Sequence, residues 1–402
     1  MVCDTVVVII YEAVVESVSL MTILDEVLDF IQRPGSREGF DALALRVFAY
    51  QVDHVPAYRS YVAALGVEPA AVRRVDQIPA VSTLAFKYAQ MESLAETPAT
   101  QARLFLTSGT TIGMAERGRH RVLHPEIYRA SAIGHLRRMM FPDGRRLAMI
   151  ALHPTAERMP ESSLSQMISW CIEEFGTAEL ACVATREGID VAKAIEFLRG
   201  CARAGAPVCI LATTAACAKL FAALTESSTE RTSRTRLLGA RGSRASLAIV
   251  LPAGSRLMDT GGAKGQTAPL SAAEVAEQAS RCLNLDPALV INEYGMTEMC
   301  SQLYDATPFN SDRSEPTAAR VKLPPPWLKS FVLDPGSLRP VADGEIGLLA
   351  FFDLANVASV SMLLTEDLGV IDGGGVRILG RAATGDARGC ALAIAEFANR
   401  PP

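Results

Sequence analysis

The chain has 402 residues, 49% apolar and 21% charged, which supplies a large core and excludes a disordered protein. Its 39 Lys and Arg against 44 Asp and Glu give a net charge of -5. That balance excludes the basic face of a dedicated nucleic-acid binder and leaves any polyanionic ligand to locally placed cations.

The first apolar run, Val6 to Tyr11, is preceded by Asp4 and followed by Glu12 and Glu16. Without a basic leader or a span of about 18 apolar residues, it predicts neither a signal peptide nor a membrane helix. Residues 1–20 read as an apolar extension, with the folded chain expected to begin near Met21. Ile23, Val27, Leu28 and Ile31 then form a helical stripe ended by Pro34-Gly35, and a second helix is predicted over Phe40 to Val52.

From residue 146 the texture alternates. Strands are predicted at 146–152, 180–184, 207–212, near Leu247, near Leu257 and at 289–292. Helices are predicted at 162–175, 189–204, 217–224 and 272–283, with a polar Arg/Ser-rich link over 226–246. Such alternation predicts parallel β-α-β units covered on both faces. Beyond 325 the pattern changes to two hairpins. One joins Phe331–Leu333 to Ile346–Phe352 through Asp334-Pro335-Gly336, and the other turns at Gly373-Gly374-Gly375. The predicted class is α/β: a parallel layered domain over 21–325, then a small antiparallel β region with a short C-terminal segment over 326–402.

Nine cysteines, an odd number with no Cys-x-x-Cys pair, predict free thiols in a reducing cytoplasm. Five His with no metal-ligand spacing argue against structural zinc.

Four segments could carry chemistry. Thr107-Ser108-Gly109-Thr110-Thr111-Ile112-Gly113 follows the apolar Leu104-Phe105-Leu106 and offers small donors for phosphate oxygens, with Arg117, Arg119, His120 and Arg121 as cations beyond. It lacks the Gly-Lys-Ser/Thr of a Walker loop. Asp259-Thr260-Gly261-Gly262-Ala263-Lys264-Gly265 and Asn292-Glu293-Tyr294-Gly295-Met296-Thr297-Glu298 both fall at predicted strand ends, where ligands of open α/β sheets sit. Thr365-Glu366-Asp367 with Gly380-Arg381 is the fourth. Each has a plain structural alternative: a Ser/Thr/Gly turn, a Gly-rich turn, a capped strand end with Tyr294 as core, and solvated hairpin charges.

In this order the four segments resemble the adenylate-forming superfamily of acyl and aryl ligases. Arg117-Gly118-Arg119-His120, Ser162-Ser163-Leu164, Gly261-Gly262-Ala263-Lys264-Gly265, Asn292-Glu293-Tyr294 and Ala387-Arg388-Gly389-Cys390 are more similar to the acyl-protein synthetases (LuxE-like) than to phenylacetate–CoA ligases. The resemblance covers residues 75–397. It implies ATP and Mg²⁺ as cofactors, a fatty or similar carboxylic acid as substrate, and an acyl reductase as protein partner. By that resemblance Thr107, Ser108, Gly109, Thr110 and Thr111 hold the β- and γ-phosphates, and Gly261 and Gly262 line the adenine pocket. Tyr294 stacks on the base, Thr297 contacts the α-phosphate, Glu298 binds Mg²⁺, and Asp367 takes the ribose hydroxyls. Arg381 stands at the junction with the C-terminal segment, and Cys390 is the thiol that accepts the acyl group. Two differences from the family pattern are Ile112, between Thr111 and Gly113, and the roughly 20 residues after Arg381. A CoA ligase of the phenylacetate type and a non-catalytic nucleotide- or acyl-binding relative are the alternative readings.

Overall fold

The computed structural model describes residues 23–35, 37–94, 101–107, 117–237, 249–261, 270–311 and 320–382. The run at 6–11 and the strand predicted near Leu247 lie outside the described residues. The chain opens with helices α1 (23–32), α2 (Arg37–His54) and α3 (Pro56–Ala64). Next come β1 (Val81–Ser82), β2 (Arg103–Leu106), β3 (Arg119–Val122) and α4 (Pro125–Met140). The alternating part holds β4 (Leu147–Ala151), α5 (Ser163–Phe175), β5 (Gly176–Cys182), α6 (Val191–Ala204), β6 (Val208–Thr213), α7 (Thr214–Leu237), β7 (Arg256–Thr260), α8 (Ala272–Leu283) and β8 (Val290–Tyr294). The remainder is β9 (Leu303–Asp305), β10 (Lys322–Leu323), β11 (Leu328–Leu333), β12 (Gly347–Asp353), β13 (Met362–Asp372) and β14 (Gly375–Arg381).

Local chemistry explains the helix limits. The Ser162 side chain accepts from Ser165 N at the start of α5, and the Asp190 side chain from Lys193 N at the start of α6. Helix α6 ends at Gly205 in the left-handed region, φ 65°. Helix α8 carries a reciprocal Ser271/Glu274 cap. Helix α7 runs much further than predicted, so the link expected over 226–246 is helical as far as Leu237. Neither Gly nor Pro occurs before Gly239, and polarity alone does not stop a helix whose outer face meets water. Strand β5 starts earlier than predicted, directly after α5. Gly176 packs so closely on the Ile172 carbonyl that no side chain would fit.

Strands β5-β4-β6-β7-β8 form a parallel sheet in that spatial order. Alternate residues serve two cores, as a sheet covered on both faces requires. Ala148, Ile150, Val208, Ile210, Leu257 and Val290 pack with α6, α7 and α8, whereas Leu147, Met149, Leu211, Met258 and Ile291 face the larger core shared with α4 and α5. Sheet direction changes at β8: β9 pairs with it antiparallel, and β10, β14, β13, β12 and β11 follow antiparallel. One twelve-stranded sheet therefore crosses residue 325. Gly373 and Gly374, with φ 55° and 80°, form the two-residue turn between β13 and β14 that the Gly triple predicted.

Candidate functional site

The Ser/Thr/Gly loop springs from a hairpin, since β2 and β3 pair antiparallel with Leu106 opposite Arg119. Its base is clamped. Thr107 N donates to Gly118 O at 2.9 Å, and Gly118 N donates to Thr107 Oγ1 at 2.8 Å. Arg117 Nε donates to Thr107 O at 2.6 Å and Nη2 to Leu106 O at 3.1 Å. Ser108, Gly109, Thr110 and Thr111, with Ile112, lie outside the described residues. The cation expectation needs a correction at His120, which is buried, so that desolvation lowers its pKa to about 4 and it is neutral at pH 7. Its Nδ1 donates to Thr297 O at 2.7 Å, tying the β2/β3 hairpin to the turn after β8. Arg119 is exposed, and Arg121 pairs with Glu92 at 3.3 Å.

Residues 73 apart in sequence meet at the second segment: Tyr294 Oη donates to Asp367 Oδ2 at 2.7 Å. The ring sits 6.0 Å from that of Phe351, so one side of Tyr294 is core. Asp367 stands opposite Arg381 in the β13/β14 ladder, with Arg381 Nε at 3.8 Å from Oδ1 and Nη1 at 3.6 Å from Glu366. Tyr294, Asp367 and Arg381 therefore form one group. Asp367, bonded to Tyr294, is not a free surface charge of a simple hairpin, whereas Arg381 is exposed and pairs with the half-buried Glu366. Thr297 is half-buried in the following turn, which Met299 N closes on Met296 O at 3.2 Å. The buried Glu298 is held through its carbonyl, which accepts from Asn356 Nδ2 at 2.8 Å.

Gly261 ends β7 with its backbone exposed, and a Cβ there would come 4.0 Å from Asn292 Nδ2. Gly262 and Cys390 lie outside the described residues. Beneath this edge runs a buried polar network that sequence reasoning missed. Asn292 Nδ2 donates to Asp259 Oδ2 at 3.0 Å, and Thr214 Oγ1 donates to the same oxygen at 2.9 Å. Lys322 Nζ donates to Asn292 Oδ1 at 2.5 Å, to Asn292 O at 3.1 Å and to Asp305 Oδ1 at 2.9 Å. Arg320 Nη1 reaches Asp305 Oδ2 at 3.0 Å. Burial pushes Asp259 up to about 6 and Glu293 up to about 7, against the hydrogen bonds from Thr214 and Asn292 in the first case and from Thr260 in the second. Lys322 follows only Arg320 in an apolar run, and no periodic signal marks a single inward-facing lysine.

Among the described residues no group of three or more His, Cys, Asp or Glu could hold a metal ion by itself. Thr297 and Glu298 carry one hydroxyl and one carboxylate on the turn that His120 ties to the β2/β3 hairpin. That donor set fits a cation shared with phosphate oxygens. Of the described cysteines only Cys182 is not fully buried. Burial raises the thiols of Cys171, Cys217 and Cys300 well above the ordinary value and that of Cys209 to about 12. No helix among the described residues is long and apolar enough to cross a membrane.

The fold is that of the adenylate-forming acyl ligases. The chain is similar to 2-hydroxyisobutyryl-CoA ligase in an open conformation with 2-HIB-AMP and CoA, with TM-score 0.56 and 18% identity over 86% of this chain and 75% of that one. The same ligase in the postadenylation state with R3-HIB-AMP gives TM-score 0.55 and 17% identity, over 85% and 67% of the two chains. More particularly, residues 244–398 match the family model described as acyl-protein synthetase, LuxE, the family that the sequence motifs resemble. The chain is 40% identical over 80 residues to a long-chain-fatty-acid–luciferin-component ligase of Aliivibrio fischeri, 18% of this chain and 21% of that protein. It is 33% identical over 79 residues to the protein of the same name from Vibrio harveyi, again 18% and 21%. The matched stretch thus spans about a fifth of the length of these curated relatives.

Proposed function

We propose that the protein uses ATP to activate a fatty or similarly apolar carboxylic acid as its acyl-adenylate and passes the acyl group to a protein cysteine thiol. The observation that carries this reading is the hydrogen bond of Tyr294 to Asp367 on the same sheet edge as the turn that His120 ties to the phosphate-loop hairpin. That convergence brings an aromatic ring, a carboxylate and a hydroxyl toward the base of the β2/β3 hairpin, and with N–H donors from the segment between the two strands this would be the inventory a nucleoside triphosphate requires.

The chemistry needs them together. A carboxylate oxygen attacks the α-phosphorus of ATP, the bond from that phosphorus to the bridging oxygen breaks, and pyrophosphate leaves. The chain's task is to align the two reactants and to oppose the developing charge. Thr107 and the loop beyond it would hold the β- and γ-phosphates, Thr297 the α-phosphate, Asp367 the ribose hydroxyls, and Tyr294 with Gly261 the base. Glu298 would hold Mg²⁺, whose charge would draw electron density from the phosphate oxygens. A thiolate then attacks the acyl carbon, a thioester forms, and AMP leaves with the electron pair. Cys390 is the proposed acceptor. The buried thiols of Cys171, Cys209, Cys217 and Cys300 are protonated at neutral pH and so are poor nucleophiles, which supports looking beyond them. An acyl reductase is the proposed partner that consumes the thioester. Residues 21–325 are proposed as the adenylating domain and 326–402 as the acceptor-bearing region.

Carboxylate-dependent exchange of labelled pyrophosphate into ATP tests the reading. Exchange stimulated by fatty acids is the expected result. Absence of exchange across acids from acetate to long chains overturns it, and acyl-CoA formed in place of labelled protein overturns the transfer half.

A further inference from the structure

The carboxyl of Glu293 has no part in the reaction just described, yet it lies at the root of the turn that presents Tyr294 and Thr297. It is buried, and Oε2 accepts a hydrogen bond from Thr260 Oγ1 on the neighbouring strand β7. Its other oxygen fills the space beside Gly295: a Cβ on that residue would collide with Oε1 and press on Gln302 Cγ at 3.3 Å. A side chain at 295 would therefore have to displace this carboxyl, the movable end of Glu293. We infer that Glu293 is a positioning residue, a proton-dependent latch whose carboxyl, wedged between Thr260 and Gly295, sets the geometry of the turn carrying Tyr294 and Thr297.

Every element packed on Glu293 contributes to its charge balance. Asp259 faces it from β7, Lys322 from β10, Tyr304 from the paired position on β9, and Tyr128 from α4. Lys322 is the one cation among them, and its three hydrogen bonds go to Asn292 and Asp305, not to Glu293. On Oε2 an ionised Glu293 has the Thr260 hydroxyl as its donor, and the nearby lysine is committed to other acceptors. Burial accordingly raises its pKa to about 7, so the neutral and charged forms exchange in the physiological range. Below that value the neutral carboxyl stays wedged and the turn is held. Above it the charge is relieved by movement of 293–295 toward water, which loosens the turn.

This inference rests on the nucleotide reading for its effect on ATP but not for the latch itself, and two measurements separate them. Amide hydrogen exchange over 294–299 in the ligand-free protein, corrected for intrinsic rates, should show protection falling by about tenfold between pH 6 and pH 8, and Glu293→Gln should hold the pH 6 protection at both. ATP affinity of the wild type should weaken at least about threefold over the same range, while Glu293→Gln stays flat. Glu293→Ala, which leaves the space empty, should be loose at both pH values and serves as the second variant. If Glu293→Gln keeps the wild-type pH dependence of amide exchange, the latch is overturned. If amide exchange behaves as expected but ATP does not bind at any pH, the latch stands and the nucleotide reading falls.

Discussion

Tyr294 Oη and Asp367 Oδ2 stand 2.7 Å apart, joining strand β8 of the parallel sheet to strand β13 of the antiparallel part. The two parts are thus joined through one contact, so that movement of either strand changes the pair proposed to grip ribose and base. Burial raises the tyrosine well above its ordinary pKa, and the nearby Asp367 charge adds to this, so the phenol stays protonated and remains the donor.

Tyr294→Phe keeps the ring on Phe351 and removes only the hydroxyl. A lost neutral-to-charged hydrogen bond at a half-buried position should cost about 1–2 kcal/mol in denaturant unfolding. ATP affinity should fall by roughly tenfold while the fold, by circular dichroism, is kept. Wild-type affinity in this variant would separate Asp367 from nucleotide binding.

Glu298→Gln preserves size but removes the charge proposed to hold Mg²⁺. Carboxylate-dependent exchange should drop by about a hundredfold or more, with melting temperature within a few degrees of wild type. Normal exchange would reduce Glu298 to a turn residue held by its carbonyl.

His120 sets an acid limb to stability. Its pKa is about 4 in the fold, below the ordinary 6.5, because charging it would place an imidazolium in the core. Its contribution is therefore complete above pH 6.5 and is lost as pH falls through 6.5 to 4, on the order of 3 kcal/mol in all. His120→Gln, an amide that can still donate to Thr297 O, should flatten this part of the curve in urea titrations at pH 4.5, 5.5 and 7. An unchanged slope would assign the acid limb to the other two histidines whose pKa burial lowers, His135 and His153.

Lys322→Met removes the ammonium from Asp305 and Asn292 and leaves Arg320 as the remaining cation on Asp305. Loss of one partner of a buried pair should cost about 3 kcal/mol at pH 7. Unfolding free energies for the variant and for Lys322→Arg test whether charge or size matters. Stability equal to wild type in Lys322→Met would mean that the network is solvated in solution.

Cys390→Ser separates activation from transfer. A hydroxyl is a far weaker nucleophile than a thiolate, so exchange should continue while labelling by radioactive fatty acid and ATP, released by neutral hydroxylamine, disappears. Cys300→Ser is the control: that thiol is buried beside Asp353, which with desolvation raises its pKa, and labelling should persist. Labelling of Cys390→Ser at the wild-type level would move the acceptor role elsewhere.

The alternation of apolar strands and amphipathic helices was legible because parallel strands β4, β6, β7 and β8 are buried on both faces and each covering helix on one, so period and burial agree locally. The capped limits of α5, α6 and α8 and the Gly-Gly turn of β13/β14 were legible for the same reason: their determinants lie within a few residues of one another. The segments holding Thr107, Gly261, Tyr294, Thr297 and Glu298 stood out locally as small polar residues and glycines after strands, whereas the resemblance to adenylate-forming ligases supplied the roles expected of them and of Asp367 and Arg381. What needed the tertiary structure was partnership. The Tyr294–Asp367 bond, the neutral His120 on Thr297, the buried Lys322 and the hold of Thr260 on Glu293 each depend on strands from distant parts of the chain. Desolvation lowers His120 and raises Glu293 and Tyr294, and burial is a property of the packed molecule that no short window of sequence carries.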